Sequence, residues 1–198
     1  MDKAQRQEFE AQLSEQWERD EEAEDFTRVV EQIMRGYGPE ILGYLVAVSR
    51  DEERAWDAFS IFSENLWKTM GTFQRRSTFR TWAYMLARQA LYQVRVSPPY
   101  RQVGDVALDD LSNISKLAER IRMSSMVYLK EVKDRFSKLR ETLTEEEQTL
   151  MLLRVDRGMS WPEIAQVMHT SPATLRQRFK RLKDNLKAMA RRDGLIDT

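Results

Sequence analysis

Apolar residues recur along this chain at the spacing of amphipathic α-helices. In the stretch WDAFSIFSENLWKTM (56–70), Phe59, Phe62, Leu66 and Met70 follow one another at intervals of three or four residues and form one apolar face. The opposite face is less ordinary, because it combines an isoleucine with few charges and is flanked by two tryptophans. Strands would show alternating runs rich in β-branched residues, and the sequence contains none. We therefore predict an all-α protein.

Glycine and proline residues divide the helical pattern into segments. Helix stops are predicted at GYGPE (36–40), at Gly71, at SPP (97–99), at Gly158 and at HTSP (169–172). A chain of 198 residues is long enough for two small domains, each with its own core. The predicted organisation is an acidic N-terminal extension (1–25), a first helical domain (26–101) with three or four helices, a linker (102–137) that contains most of a further helix (about 114–139), and a second helical domain (138–193).

The C-terminal segment carries the clearest local signals. Capping boxes, in which Ser or Thr is followed three residues later by Glu, mark helix starts at Thr144 and Ser160. Ser171 is expected to cap a third helix, PATLRQRFKRLKDNLKAMARR, with Pro172 at its favoured first position. A short helix centred on the small residue Ala165, a tight turn and a helix rich in Arg and Gln are typical of a helix-turn-helix, whose second helix enters the major groove. The alternative is an ordinary helical hairpin with a solvated basic face. The residues expected to contact duplex DNA are Ser171, Thr174, Arg176, Gln177, Arg178, Lys180 and Arg181.

Charge is strongly segregated, although the chain as a whole has a net charge of zero. Residues 1–31 carry four basic and eleven acidic side chains. Residues 68–104 carry seven basic side chains and no acidic one, and residues 172–192 carry eight basic and one acidic. In the first basic tract, aromatic residues such as Phe79 and Tyr92 lie among the arginines, a combination that suits single-stranded DNA. Two basic tracts favour one polyanionic partner. We hypothesise that the acidic N-terminus shields these basic faces in the free protein. The alternative is two solvated helix faces, each balanced by acids in space.

Several kinds of site find no support in the sequence. The chain has no cysteine, which excludes disulfides and Cys-based zinc sites and is compatible with a reducing cytosol. It shows neither a signal peptide nor an apolar run long enough to span a membrane, so no membrane insertion is expected. Metal-ligand spacings, nucleophile constellations and phosphate-cradling glycine loops are not found either. We therefore expect a cytoplasmic protein with no cofactor.

Two motifs in the chain resemble those of the bacterial sigma factors of the extracytoplasmic-function (ECF) group. They are STFRTWAYMLAR (77–88) and LTEEEQTLMLLRVDRGMSWPEIAQVMHTSPATLRQRFKRLKDNL (143–186). The likeness extends over about residues 26–101 and 138–190, and the second motif is the more specific of the two. The single histidine, His169, lies in the turn where this family usually has glycine.

The resemblance implies a protein that binds core RNA polymerase and directs it to promoters. The second domain would read the minus-thirty-five element as duplex DNA. The first would capture a flipped base of the minus-ten element and hold the melted strand, with the loop 72–78 matching the family's base-capturing segment. Catalysis would belong to the polymerase, so the chain would need no catalytic residue of its own. The residues implied to contact the minus-ten element are Phe73, Arg75, Arg76, Ser77, Thr78, Arg80, Trp82 and Arg88.

The stretch 56–70 falls on the helix by which such factors grip the polymerase clamp. Family members usually carry Asp, followed by Gln and Glu three and four positions later, whereas Ser60 and Ile61 stand at those two positions here. We hypothesise that a Ser/Thr kinase restores the negative charge by phosphorylating Ser60 or Ser63. Control by an anti-sigma protein is the other possibility, and a third is that the unmodified surface suffices. The residues expected to contact the polymerase are Asp57, Ser60, Ile61 and Glu64.

Two other functions are compatible with a basic helical protein. A stand-alone helix-turn-helix repressor would bind duplex DNA, usually as a dimer, but it would have no use for an aromatic and basic tract suited to melted DNA. A helical interaction module would meet acidic proteins through its basic faces. Run-off transcription with core RNA polymerase separates a sigma factor from both alternatives.

Overall fold

The computed structural model describes residues 1–49, 51–96, 114–123 and 142–192, and within these ranges it contains helices and no strand, which confirms the all-α prediction. The chain divides into two compact units, Met1–Lys138 and Leu139–Thr198. The helices are α1 (Lys3–Glu22), α2 (Thr27–Val48), α3 (Glu52–Thr69) with a 3-10 turn after it (Met70–Thr72), α4 (Phe79–Val96), α5 (114–123), α6 (Glu145–Met151) with a π-helical turn after it (Leu152–Asp156), α7 (Trp161–Met168) and α8 (Pro172–Arg192).

The acidic N-terminus is part of the first unit, although the sequence suggested a separate extension over residues 1–25. Leu13 and Trp17 of α1 are buried, and the Asp20 carboxylate accepts a hydrogen bond of 2.8 Å from the Val29 N–H at the start of α2. An apolar stripe of Phe9, Leu13 and Trp17, each four residues apart, causes this packing. The many charged residues on the other faces of α1 concealed the stripe.

The predicted helix stop at GYGPE (36–40) is wrong, because α2 continues through it with Pro39 inside the helix. An internal proline removes one helical hydrogen bond and is expected to cost about 3 kcal/mol. The burial of every residue from 41 to 48 offsets that cost, since all of them lie in the core of the first unit.

The glycines of this segment serve packing rather than helix termination. A Cβ atom added at Gly36 would lie 2.4 Å from the Phe9 ring of α1. One added at Gly38 would lie 2.7 Å from Cδ1 of Ile121 in α5. Two other helices therefore approach the α2 backbone where it has no side chain. The contact with Ile121 also places α5 in the first unit, although it lies within the predicted linker.

The helix ends in the second unit follow the sequence prediction closely. Both capping boxes form, and the Thr144 N–H donates to Glu147 Oε2 at 2.9 Å. Gly158 adopts the left-handed conformation with φ of 62°, and α8 begins at Pro172 as expected. His169 also has a positive φ, 49°. Glycine adopts this left-handed conformation most easily, so the position favours glycine even though histidine occupies it here. The predicted stop at Gly71 is confirmed. SPP (97–99) and the part of the predicted helix (about 114–139) that follows residue 123 lie outside the described residues.

Within the described part of the chain, no helix is long and apolar enough to cross a membrane. Those residues also contain no group of three or more His, Asp or Glu side chains arranged to hold a metal ion.

Candidate polymerase and nucleic-acid interfaces

The outer face of α8 presents a dense set of polar side chains. Leu175 and Leu182 are buried against the rest of the second unit, and Phe179 is half-buried. The hydroxyl of Ser171 accepts a hydrogen bond of 3.1 Å from the Thr174 N–H, so these two residues hold the start of the helix. Five of the predicted duplex contacts on α8 are exposed, namely Arg176, Gln177, Arg178, Lys180 and Arg181. Arg178 and Arg181 also line a depression beside Glu146 and Glu147 of α6.

The loop 72–78 begins at the last residue of the 3-10 turn and leads into α4, and it carries several of the side chains predicted to hold the minus-ten element. Arg75 has a left-handed backbone with φ of 54°, which costs an L-residue about 1 kcal/mol. Its guanidinium bonds to the Glu18 carboxylate and lies 5.8 Å from the centroid of the Trp17 ring. Helix α1 therefore contacts the loop through an ion pair at the surface. Of the other predicted contacts here, Arg76 and Thr78 are exposed, and Ser77 is half-buried.

Phe73 does not face solvent, contrary to the prediction that it contacts DNA. Only 6% of the residue is exposed, and its ring lies 4.6 Å from Phe79 and 5.0 Å from Trp82, centroid to centroid. Trp17 meets the same ring edge-on at 6.3 Å. Phe73 is thus the centre of an aromatic cluster beneath the loop. Trp82 belongs to the same cluster but is only half-buried.

Arg80 is also buried rather than available to nucleic acid. Its Nε donates to Glu40 Oε1 at 3.0 Å, and the Tyr84 hydroxyl donates to the same oxygen at 2.8 Å. Burial by itself would lower the pKa of Arg80, but the Glu40 carboxylate raises it above its ordinary value, so the guanidinium stays charged. Because α4 packs against several helices, positions beyond its apolar stripe become buried. Arg88, two turns further along α4, is half-buried.

The four N–H groups at the start of α4 all have acceptors. Glu10 of α1 accepts from the N–H of Phe79 at 2.8 Å and from that of Arg80 at 2.9 Å. Thr78 supplies its hydroxyl to the Thr81 N–H at 3.1 Å and its carbonyl to the Trp82 N–H at 3.0 Å. The orientation of α4 directly after the loop 72–78 therefore depends on a carboxylate from the N-terminal helix. Sequence reasoning missed Glu10, whose only signal is its place beside the stripe that begins at Phe9.

Glu10 also accepts a hydrogen bond of 2.7 Å from the Tyr37 hydroxyl of α2. Burial, followed by the charge of Glu10, raises the pKa of Tyr37 well above its usual range, so the phenol keeps its proton and remains a donor. One carboxylate thus joins α1, α2 and α4.

The residues of α3 that are expected to bind the polymerase differ in their exposure. Ser60 is exposed, and Asp57 and Glu64 are half-buried, with Glu64 paired to Lys68 one turn later. Ile61 is only 8% exposed, so it does not belong to an open surface. Helix α3 packs against both α2 and α4, and it therefore buries a wider arc than its main stripe predicts.

Two neighbouring features of α3 alter the sequence interpretation. Ser63, the second proposed phosphorylation site, is buried and donates its hydroxyl to the Phe59 carbonyl at 2.8 Å, so a kinase cannot reach it in this fold. Trp56 is covered on one side by Arg122 of α5, whose guanidinium carbon lies 4.6 Å from the ring centroid. Trp56, one of the two tryptophans that flank the polar face of α3, thus has a partner within the chain.

Comparison with known proteins agrees with this arrangement of helices. The family model described as Sigma-70 region 2 matches residues 33–95, and the model described as Sigma-70, region 4 matches residues 133–186. The chain is also similar to the RNA polymerase sigma-H factor of Pseudomonas aeruginosa, with 26% identity over 181 residues, 79% of this chain and 89% of the relative. The two matches together span more than half of the chain, and they contain α3, α4 and the whole helix-turn-helix. The chain therefore belongs to the sigma-70 family. Because it combines region 2 with the ECF type of region 4, it is an alternative sigma factor of the ECF group.

Proposed function

We propose that this sigma factor reads the minus-thirty-five element through the outer face of α8. The observation that carries the proposal is the set of exposed Arg, Gln and Lys side chains between residues 176 and 181, interrupted only by the inward-facing Phe179. Arg and Gln make bidentate hydrogen bonds with guanine and adenine in the major groove, and further basic residues bind phosphates.

The first unit is proposed to hold the melted minus-ten strand at the loop 72–78 and the start of α4. Arg75, Arg76, Ser77 and Thr78 offer charge and hydrogen bonds at the surface, and Trp82 is a half-buried aromatic residue beside them. Phe73 and Arg80 are assigned a supporting role instead, because both are buried behind this surface.

Run-off transcription by core RNA polymerase with the full chain tests this function. We expect promoter-specific transcripts, and we expect the double change Arg178→Ala with Arg181→Ala to reduce them at least tenfold, since each good base or phosphate contact contributes about 1–3 kcal/mol. Lys187→Ala is the matched control, because Lys187 is an exposed basic residue nearer the end of the same helix.

Equal transcription by the double variant and the Lys187→Ala control would show that the outer face of α8 does not read promoters. A lack of specific transcripts combined with tight duplex binding by the free chain would favour the repressor. A lack of DNA binding both with and without polymerase would favour the interaction module.

The α3 surface formed by Asp57, Ser60 and Glu64 is proposed to dock on core RNA polymerase. Ile61 is left out of this surface because of its burial. The carboxylates at 57 and 64 lie two helical turns apart on one side of α3, with Ser60 between them. A positively charged groove on the polymerase would therefore meet a surface with one neutral position at its centre.

Phosphorylation of Ser60 is proposed to complete this acidic surface. The Ser60 side chain is exposed, and its hydroxyl donates a hydrogen bond of 3.1 Å to the Trp56 carbonyl of the same helix. A phosphate would add about 1.5 to 2 negative charges and three acceptor oxygens. A Ser/Thr kinase is the implied partner, and an anti-sigma protein that covers the same face is the alternative regulator.

Replacing Ser60 by glutamate is expected to increase the affinity for core RNA polymerase by roughly five- to thirtyfold, because a charged hydrogen bond contributes about 1–2 kcal/mol. Ser60→Ala should match the unmodified wild type. Gln12→Glu, which adds the same charge at an exposed position on α1, controls for net charge. Affinity measured by fluorescence anisotropy that is equal for wild type, Ser60→Glu and Ser60→Ala would remove the phosphorylation hypothesis.

A protein that acts only as part of the polymerase works where the polymerase and the chromosome are. We accordingly propose a cytoplasmic location, and we assign the chemistry of RNA synthesis to the polymerase rather than to residues of this chain.

A further inference from the structure

Trp161, the first residue of α7, is fixed by contacts on several sides. The ring of Phe179 from α8 meets it nearly edge-on, at 5.6 Å between centroids and 69° between planes. The guanidinium carbon of Arg154 lies 4.7 Å from its centroid, and Arg154 Nη1 donates to the Met159 carbonyl at 2.8 Å. The indole is half-buried, so it is held by its neighbours and still borders the surface.

Arg176 of α8 contacts this same indole. Its guanidinium carbon lies 5.9 Å from the Trp161 centroid, while the residue as a whole is exposed on the face proposed to meet DNA. Among the residues that the structure describes, no carboxylate lies at ion-pair distance from Arg176. The contact with the indole is therefore the interaction that the structure gives to this guanidinium.

Arg75 and Arg80 of the first unit also lie close to an aromatic ring, Trp17 and Tyr84 respectively, but each is in addition paired with a carboxylate. Arg75 pairs with Glu18, and Arg80 pairs with Glu40. A carboxylate fixes a guanidinium but neutralises it and occupies its N–H groups, so a phosphate or base must first displace the carboxylate. An aromatic face attracts the cation without neutralising it and leaves the hydrogen-bonding edge open.

We propose that Trp161 is a positioning residue for base recognition by Arg176. The indole holds the guanidinium in an orientation suited to bidentate bonding with the O6 and N7 atoms of a guanine, and it leaves the full positive charge available. Trp161 thereby affects specificity without touching the base. This inference rests on the proposed reading of duplex DNA by α8.

The test is selection of duplexes from a library randomised over the minus-thirty-five region, using the holoenzyme formed by the full chain and core RNA polymerase. Arg176→Ala should remove base preference at one position of the selected sequence. Trp161→Leu, which keeps an apolar side chain but removes the ring, should reduce the preference at that same position by about two- to fivefold, the range expected for a cation–aromatic contact near the surface. Trp161→Phe should restore part of it.

Each outcome decides between alternatives. A preference lost with Arg176→Ala but unchanged in Trp161→Leu overturns the positioning role and leaves the proposed function intact. An equal loss of affinity for all duplexes in Trp161→Leu also overturns it, because it would make Trp161 a general backbone contact. A selected sequence that Arg176→Ala does not alter overturns the reading of bases by Arg176 itself, and the positioning role with it.

Thermal melting of each variant shows whether the second unit still folds. Should Trp161→Leu fail to fold, Trp161→Tyr and Trp161→Phe provide the test, because both rings can still pack on Phe179 while their attraction for a cation is weaker than that of Trp. A smaller base preference in these variants supports the proposal, and an identical preference for all three aromatic residues overturns it.

Discussion

Replacing Glu40 by leucine is expected to lower the free energy of unfolding of the first unit by about 3 kcal/mol. The change leaves the Arg80 guanidinium without its carboxylate, although only 8% of that side chain is exposed. It also removes the acceptor of the Tyr84 hydroxyl. Removing one partner of a buried ion pair is among the largest effects of a single substitution, because the remaining charge stays away from water. Urea denaturation followed by circular dichroism measures the loss, and hydrogen exchange assigns it to α2 and α4.

A matched control lies on the same helix. Glu31 pairs with Arg35 at 3.4 Å, but these side chains are 36% and 65% exposed. Glu31→Leu should therefore change stability by no more than about 0.5 kcal/mol. Combining Glu40→Leu with Arg80→Met should recover most of the loss, since the double change removes both charges. If Glu40→Leu proves no more harmful than Glu31→Leu, the ion pair is not what holds α4 against α2.

Replacing Glu10 by alanine is expected to destabilise the first unit by about 2–3 kcal/mol and to weaken capture of the melted minus-ten strand. The estimate combines about 1 kcal/mol for a lost helix cap with about 1–2 kcal/mol for a buried hydroxyl without its acceptor. The groups affected are the first two N–H groups of α4 and the Tyr37 hydroxyl. Because α4 begins directly after the loop 72–78, its fraying would alter the surface proposed to bind the strand.

Stability is measured by urea denaturation, and strand capture by permanganate reactivity of the melted region on a promoter that the wild-type holoenzyme transcribes. Glu8→Ala is the control, because Glu8 is an exposed acid on the same helix. Glu10→Gln should be intermediate, since the amide keeps only one acceptor oxygen. Equal stability of Glu10→Ala and Glu8→Ala would contradict the proposed role of Glu10 in holding α4 and α2.

The two stability predictions change the interpretation of the acidic N-terminus. Glu10 and Asp20 are directed at the N-termini of α4 and α2, where carboxylates oppose the partial positive charge of the helix ends. Glu18 bonds to Arg75 in the loop 72–78. Part of the negative charge that suggested a shield is thus used to fix helix positions, and the shielding hypothesis itself stays a prediction.

The sequence by itself determined the features that depend on a few consecutive residues. A capping box needs only Thr144 and Glu147, and the inner stripe of α8 repeats every three or four positions, so both could be identified without a partner helix. The prediction of the helix-turn-helix was accurate for the same reason, and so was the prediction that Arg176 and its neighbours point away from the core.

Only the tertiary structure decided which face of a helix is covered and by what. Arg80 is accommodated in the interior by Glu40, forty residues earlier in the chain. Helix α2 continues through Pro39 where α1 and α5 pack against the neighbouring Gly36 and Gly38. Ile61 and Ser63 have the local appearance of a surface, but α3 lies between two helices. Burial depends on contacts between residues that are far apart in the sequence. The free energy of this packing outweighs the local preferences on which a sequence pattern depends.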